Sequence, residues 1–128
     1  MSVRIEVATA ELIDKITILE IKQAQLADPD KRRNVEHELA LLRACLDAEI
    51  PDQTALAPLR QALKQVNERI WGTEDDIRDH ERRQDFGPNF IRLARAVYHD
   101  NDARARLKRQ INALLDSTIV EEKSYSPY

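Results

Sequence analysis

Apolar residues recur at spacings of three and four along most of this chain, and this pattern predicts a helical protein. The clearest run is Leu56, Leu59, Leu63, Val66 and Ile70. Such spacing is typical of a helix face that packs against other helices. The pattern then breaks, because Glu74 and Glu81 stand where apolar residues should follow. A buried polar group without a partner costs roughly 1–3 kcal/mol, so either a site begins here or the helix leaves the core.

Two more helices are predicted before this one. Their apolar stripes are Leu12, Ile16, Leu19, Gln23 and Leu26 in the first, and Val35, Leu39, Leu42 and Leu46 in the second. The first helix also carries apolar residues outside its stripe, which indicates a central position. Thr9 is its expected N-cap, since a hydroxyl there can accept a backbone N–H. Asp28-Pro29 and Ile50-Pro51 should end these helices, because a residue before proline avoids the helical conformation.

The C-terminal third predicts two further helices. Gln84–Asn89 contains both a glycine and a proline and should be a loop. A fourth helix is expected over Phe90–His99. The run Asp100-Asn101-Asp102 should then break the chain, with Asn101 as the N-cap of a fifth helix that includes Leu107, Ile111 and Leu114.

The ends of the chain raise the question of a small sheet. Val3, Ile5 and Val7 alternate with charged residues, which is the period of a strand. A lone strand leaves its backbone groups unpaired, so it could pair with the tail Thr118–Tyr128. The alternative is a disordered tail. The predicted fold is therefore all-α, a compact antiparallel bundle of about five helices in a single domain over residues 1–128, with terminal β pairing left open.

Composition narrows the function classes. A net charge of −3 in 128 residues gives no general attraction for nucleic acid or anionic membranes. Cys45 is the only cysteine, so neither an internal disulfide nor a cysteine zinc site is expected, and we place it in the core. The sequence contains no apolar stretch of about 18 residues, so no membrane span is predicted. The N-terminus lacks the apolar region of a signal peptide, so the cytoplasm is the expected location.

Acidic residues on two predicted helices suggest one kind of chemistry. Glu74 and Glu81 share a helix face with Arg78. The first helix carries carboxylates at Glu11, Asp14 and Glu20. Carboxylates that face each other from two helices can hold a divalent cation. The simpler interpretation is a set of ion pairs between helices.

The segment after residue 90 is basic and suggests a second kind of chemistry. Arg95 shares helical spacing with Ile91 and Tyr98, so it could reach inward. The planar fork of arginine suits carboxylates and phosphates, which would make a recognition pocket. The simpler interpretation, which we favour, is that the basic segment pairs with the acidic run at residues 74–81.

Long strings of this sequence resemble a small bacterial family described as a domain of unknown function. The strings are ELIDKITILEIK (Glu11–Lys22), NERIWGTEDDIR (Asn67–Arg78), FIRLARAVYHDNDARARLKRQIN (Phe90–Asn112) and EEKSY (Glu121–Tyr125). The resemblance implies a bacterial protein encoded near genes for surface-polysaccharide synthesis. It also implies that the polar positions in these strings recur, which adds Lys15, Asn67, Trp71, Asp75, Asn101, Asp102 and Lys123 to the residues of interest.

Two functions remain open from the sequence. The first is a binding or accessory module, without a cofactor, for a protein partner or a small anionic ligand. The second is a small metal-dependent enzyme that acts on a phosphorylated or nucleotide-sugar substrate with Mg²⁺. A homodimer is expected because short helices bury little surface alone. The candidate polar pocket consists of Glu11, Asp14, Glu20, Trp71, Glu74, Arg78, Glu81, Arg95, Tyr98, Asn101 and Asp102.

Overall fold

The computed structural model describes all 128 residues and contains four α-helices and no strand. The helices are α1 (Thr9–Gln25), α2 (Pro29–Glu49), α3 (Ala57–Arg83) and α4 (Pro88–Leu114). Helix α1 packs against each of the other three, and α3 and α4 form an antiparallel hairpin. The all-α prediction is therefore confirmed. No helix combines the length and the apolar character needed to cross a bilayer.

The apolar stripes of the sequence supply the core. Its fully buried large side chains are Ile13, Ile16, Leu39, Leu46, Leu56, Leu63 and Ile111, and they come from all four helices. Helix α1 contributes buried residues on several sides, as expected of a central helix. Cys45 is an exception to the prediction, since it lies exposed on α2.

The N-terminus of α1 is capped by a side chain from another helix. Thr9 begins the helix and Ala8 occupies the N-cap position, so the predicted hydroxyl cap is wrong. Instead, the Oδ1 atom of Asn112 on α4 accepts the N–H of Ala10 at 2.9 Å. One of the unpaired N–H groups of a helix start is thereby satisfied in the interior. The cap also fixes α1 to the end of α4.

The predicted break between a fourth and a fifth helix is wrong. Residues 88–114 form one continuous helix that includes the Asp-Asn-Asp run. Tertiary contacts use these polar side chains: Asp100 lies 3.4 Å from the Nε atom of Arg69, and Asp102 accepts the hydroxyl of Tyr128. Asn101 donates to the carbonyl of Val97, one turn back in the same helix. Local N-cap preference therefore yields to partners elsewhere in the fold.

The predicted β pairing of the termini is also wrong. Residues 1–7 are exposed and unpaired, and no strand lies beside the alternating Val3, Ile5 and Val7. Alternation alone cannot form a strand, since its apolar face needs a surface to pack on. The tail is held by side chains instead, because Glu121 lies 2.8 Å from Lys108.

The broken apolar pattern on α3 marks the point where this helix leaves the core. The buried residues of α3 end at Asn67, and Ile70 and Ile77 are only half-buried. Glu81 lies exposed. The far end of the hairpin closes on a contact between the rings of Phe86 and Phe90, whose centres are 5.2 Å apart. The glutamates on this face of α3 therefore lie outside the core.

Candidate functional site

A buried ionic cluster lies where α1 meets the α3–α4 hairpin. Asp14 is 3% exposed, and its carboxylate accepts the Nε of Arg104 at 3.1 Å and a second guanidinium N–H of the same arginine. The Nδ2 atom of Asn67 donates to it at 2.9 Å, and the ammonium of Lys108 lies 3.8 Å away. Because no buried polar side-chain atom lacks a partner, the cluster is fully satisfied.

Lys108 joins this cluster to the C-terminal tail. Its ammonium is 2.6 Å from Glu11 and 2.8 Å from Glu121, while the residue is 5% exposed. Burial by itself lowers the pKa of Lys108, but the bonds to both glutamates and the charge of Asp14 outweigh burial and raise it above its ordinary value. Hydrogen bonding to Asp14 likewise raises the pKa of Arg104. Both cations therefore stay charged in the interior.

The contact between Glu121 and Lys108 predicts an acid-sensitive attachment of the tail. The bond to Lys108 lowers the pKa of Glu121 below its ordinary value of 4.5. The stabilisation should be complete above pH 4.5 and disappear as the pH falls through the lowered pKa. Urea unfolding across this range should therefore show a gap between the wild type and Glu121→Gln that closes in acid. Glu122→Gln is the control, and a pH-independent gap for Glu121→Gln would contradict the prediction.

The side chain of Asn67 presents one free acceptor. Its Nδ2 donates to the carboxylate of Asp14 and to the hydroxyl of Thr17, both at 2.9 Å. The hydroxyl of Thr17 already donates to the Asp14 carbonyl at 2.8 Å, so it can only accept from Asn67. These partners fix which end of the amide faces the cluster. The Oδ1 atom accepts no hydrogen bond from the protein, and because no buried polar side-chain atom lacks a partner, it is reached by solvent although the residue is only 6% exposed.

An open groove lies above this amide, between α1 and the second half of α3. We call it the α1–α3 groove, and its volume is about 510 Å³. Its lining residues are Ile18, Ile21, Asn67, Ile70, Trp71, Glu74, Asp75, Arg78 and Arg104. Apolar and aromatic side chains with a few polar groups are typical of ligand sites. Arg104 belongs to both the groove and the ionic cluster, so the cluster supports one wall of the groove.

The structure divides the predicted polar pocket among several places. Trp71, Glu74 and Arg78 line the α1–α3 groove, while Glu11 and Asp14 lie in the ionic cluster. Glu20 faces α2 and α3, where its carboxylate is 2.9 Å from Arg43 and 3.6 Å from Arg60. The remaining predicted residues lie away from the groove; they are Glu81, Arg95, Tyr98, Asn101 and Asp102.

The carboxylates of α1 and α3 do not converge. Glu20 is occupied by two arginines, and Glu74 lies 3.6 Å from Arg78 on its own helix. No group of three or more His, Cys, Asp or Glu side chains is arranged to hold a metal ion. The arrangement that motivated a magnesium site is therefore not formed by these residues.

The basic segment of α4 is oriented differently from the prediction. Arg95 is exposed, and so are Ile91 (56%) and Tyr98, so the face taken as inner points outward. The acidic run pairs within α3, through Arg78, Arg82 and Arg83, and not with the basic segment. Leu93 is the residue of this part of α4 that is buried. The orientation of α4 about its own axis therefore decides which of its cations reach the interior.

Sequence reasoning missed Arg104, Lys108 and Asn112 as interior residues. Arg104 and Lys108 are four residues apart, and Ile111 follows three residues later. This spacing places both cations on the same face as a core isoleucine. The signal was present within the predicted fifth helix, but helical spacing alone does not show which carboxylates stand opposite these two cations.

Comparisons with known proteins identify a family but no activity. No curated protein and no solved structure matches this chain. A family model described as "Family of unknown function (DUF6165)" matches residues 3–128 and so spans the four helices and the tail. The resemblance to a domain of unknown function is thus confirmed, and the chain belongs to the family of unknown function DUF6165.

Proposed function

We propose that this protein is a binding module and that the α1–α3 groove holds a sugar unit with a negatively charged group. The observation that carries the proposal is the unpaired Oδ1 acceptor of Asn67, a residue that lines the groove together with Trp71. Its orientation is fixed by buried partners. A site whose polar atom is held in place before binding loses little entropy when a ligand arrives.

The other groove residues match the two kinds of surface on a sugar. The hydroxyls of a sugar donate hydrogen bonds, and Glu74 and Asp75 offer carboxylate acceptors beside Asn67. The C–H faces of a sugar ring are apolar, and the groove offers the apolar side chains of Trp71 and Ile18. A purely apolar ligand would displace water from these carboxylates without offering hydrogen bonds in its place.

Arg78 supplies the preference for a negative charge. It is 77% exposed at the side chain, and its Nε is 3.6 Å from Glu74, too far for a strong hydrogen bond. The outer nitrogens of its guanidinium are therefore available to a carboxylate or phosphate. Arg104 cannot take this role, since Asp14 already occupies its fork.

A groove that binds an acidic sugar fits the link to surface polysaccharides that the family resemblance implies. The resemblance implies genes near those for surface polysaccharides, and acidic sugars are common units of such polymers. An accessory module that holds one unit would serve their assembly. The alternative of a Mg²⁺-dependent enzyme lacks a converging set of carboxylates, so we place binding before catalysis.

The test uses the fluorescence of Trp71, the only tryptophan of the chain. Glucuronate and glucose 1-phosphate should each change the emission in a saturable manner, and glucose should bind more weakly. The variant Arg78→Gln should weaken glucuronate binding about tenfold, the equivalent of 1.4 kcal/mol. Thermal unfolding should report the same order of affinities, because a ligand that binds only the folded state stabilises it.

The matched control is Arg83→Gln on the same helix. Arg83 is exposed, pairs with Asp79 and does not line the groove, so its loss should leave sugar binding unchanged. Equal weakening by both variants would mean that general charge and not the groove attracts the ligand. Absence of any fluorescence or thermal response to the three probes would overturn the proposal and favour a protein partner.

A further inference from the structure

We infer that the outward face of α4 binds an acidic polysaccharide, in a place separate from the α1–α3 groove. Four arginines with free guanidinium groups follow this face: Arg92, Arg95, Arg106 and Arg109. They share it with His99 and Asp102, and the six positions are spaced three and four residues apart. Such spacing keeps side chains on one side of a helix. We call this set the arginine row.

The arginine row points away from the interior. The buried residues of α4 are Leu93, Lys108, Ile111 and Asn112, which lie on the other side of the helix. All four arginines of the row are exposed, and none lies within ion-pair distance of a carboxylate. The other two cations of α4, Arg104 and Lys108, are by contrast fully engaged with α1 and the tail. The row therefore carries positive charge that the protein itself does not neutralise.

A pocket lined by tyrosines divides the row into two arginine pairs. It is formed by Tyr98 and Asp102 of α4 and by Lys123, Tyr125, Ser126, Pro127 and Tyr128 of the tail, with a volume of about 470 Å³. The ring of Tyr128 packs against Tyr98 and His99, with ring centres 5.2 and 4.7 Å apart. Its hydroxyl donates to Asp102 at 2.5 Å. Aromatic faces and hydroxyl partners thus lie between two positively charged ends.

The distribution of charge favours a polymer with widely spaced negative groups. From Arg92 to Arg109 the helix rises about 25 Å at 1.5 Å per residue, with Asp102 in between. A nucleic acid carries a phosphate on every nucleotide and would bring several of them against this carboxylate. A polysaccharide in which acidic and neutral sugars alternate can place carboxylates on the arginine pairs and neutral ring faces on the tyrosines. The net charge of −3 also disfavours a densely charged polyanion.

The experiment uses calorimetry to measure binding of a hyaluronan hexasaccharide to the full chain; in this ligand, acidic glucuronate alternates with neutral N-acetylglucosamine. Maltohexaose is the neutral comparison, and a hexamer of thymidylate represents nucleic acid. We expect binding of the hyaluronan hexasaccharide that weakens with added salt, and little binding of either comparison. The double variants Arg92→Gln/Arg95→Gln and Arg106→Gln/Arg109→Gln should each reduce the affinity about tenfold, since each removes two charged contacts.

The matched control is Arg4→Gln/Arg32→Gln, which removes the same charge from two other exposed positions and should leave the affinity unchanged. Repeating the comparison in a Trp71→Leu background separates this proposal from the groove, since the effect of the arginine row should persist there. Equal loss in the control, no binding of the hyaluronan hexasaccharide, or tighter binding of the thymidylate hexamer would each overturn the proposal.

Discussion

Replacing Asp14 by alanine is expected to lower the free energy of unfolding by about 3–5 kcal/mol, the range for breaking a buried ion pair. The carboxylate is the only partner of the Arg104 guanidinium. Its removal would leave that charge half-buried without a countercharge, and the Asn67 amide would lose one of its two acceptors. Lys108 would keep Glu11 and Glu121, so the damage should centre on Arg104. Urea unfolding followed by circular dichroism measures the change.

The double variant Asp14→Leu/Arg104→Met sharpens this prediction. Replacing both partners by apolar side chains removes the buried charges together, so it should cost far less than Asp14→Ala. A double-mutant cycle with Asp14→Ala and Arg104→Ala should accordingly show a large coupling free energy between the two side chains. Glu11→Ala serves as the control, since Glu11 is partly exposed and Lys108 has other partners. Similar losses for Asp14→Ala and Glu11→Ala would contradict a central role for Asp14.

Replacing Leu63 by alanine is expected to cost about 2–5 kcal/mol, the range for a large buried aliphatic side chain. Leu63 is fully buried in the core cluster. Ile77 belongs to the same apolar face of α3, two heptads later, but it is only half-buried. Ile77→Ala should therefore cost clearly less, although the sequence pattern treats the two positions alike. Chemical denaturation of the two variants measures the difference.

Glu81→Ala completes this comparison as the control on the same face. Glu81 is exposed and forms no ion pair, so its replacement should change stability by less than about 0.5 kcal/mol. Equal costs for Leu63→Ala and Ile77→Ala would mean that the core continues along α3. That result would contradict the conclusion that α3 leaves the core after Asn67.

The groove and the ionic cluster are mechanically linked through Arg104. Its side chain lines the groove while its fork is held by Asp14. Lys108 extends the same cluster to Glu121 in the tail. Variants of the cluster should therefore be assessed for folding before any loss of binding is assigned to the groove.

Much of the helical framework followed from local sequence. The apolar spacing around Leu39 and Leu63 identified core faces, because a helix places residues three and four apart on one side. Asp28 is the N-cap of α2 and Pro29 its first residue, as expected because proline is favoured at the start of a helix and disfavours the helical conformation in the residue before it. The sequence also indicated Asn67, Trp71, Glu74 and Arg78 as polar or aromatic residues of one segment.

Tertiary structure alone decided which of these residues act together. Asp100, Asn101 and Asp102 carry a local signal for a helix break, yet α4 continues through them, and Asp100 and Asp102 contact Arg69 and Tyr128. The continuous helix turns Arg104 and Lys108 inward and leaves the arginine row outside.

What the sequence by itself determined is the helical class, the core stripes and the break in the α3 pattern. What only the tertiary structure decided is the meaning of that break. Glu74 lines a groove beside α1, whereas Glu81 is exposed. The physical reason is that helical periodicity fixes the direction of a side chain around its own axis but not which neighbour stands opposite. The free acceptor of Asn67 illustrates this, since its orientation depends on Asp14 and Thr17, which lie 53 and 50 residues earlier in the chain.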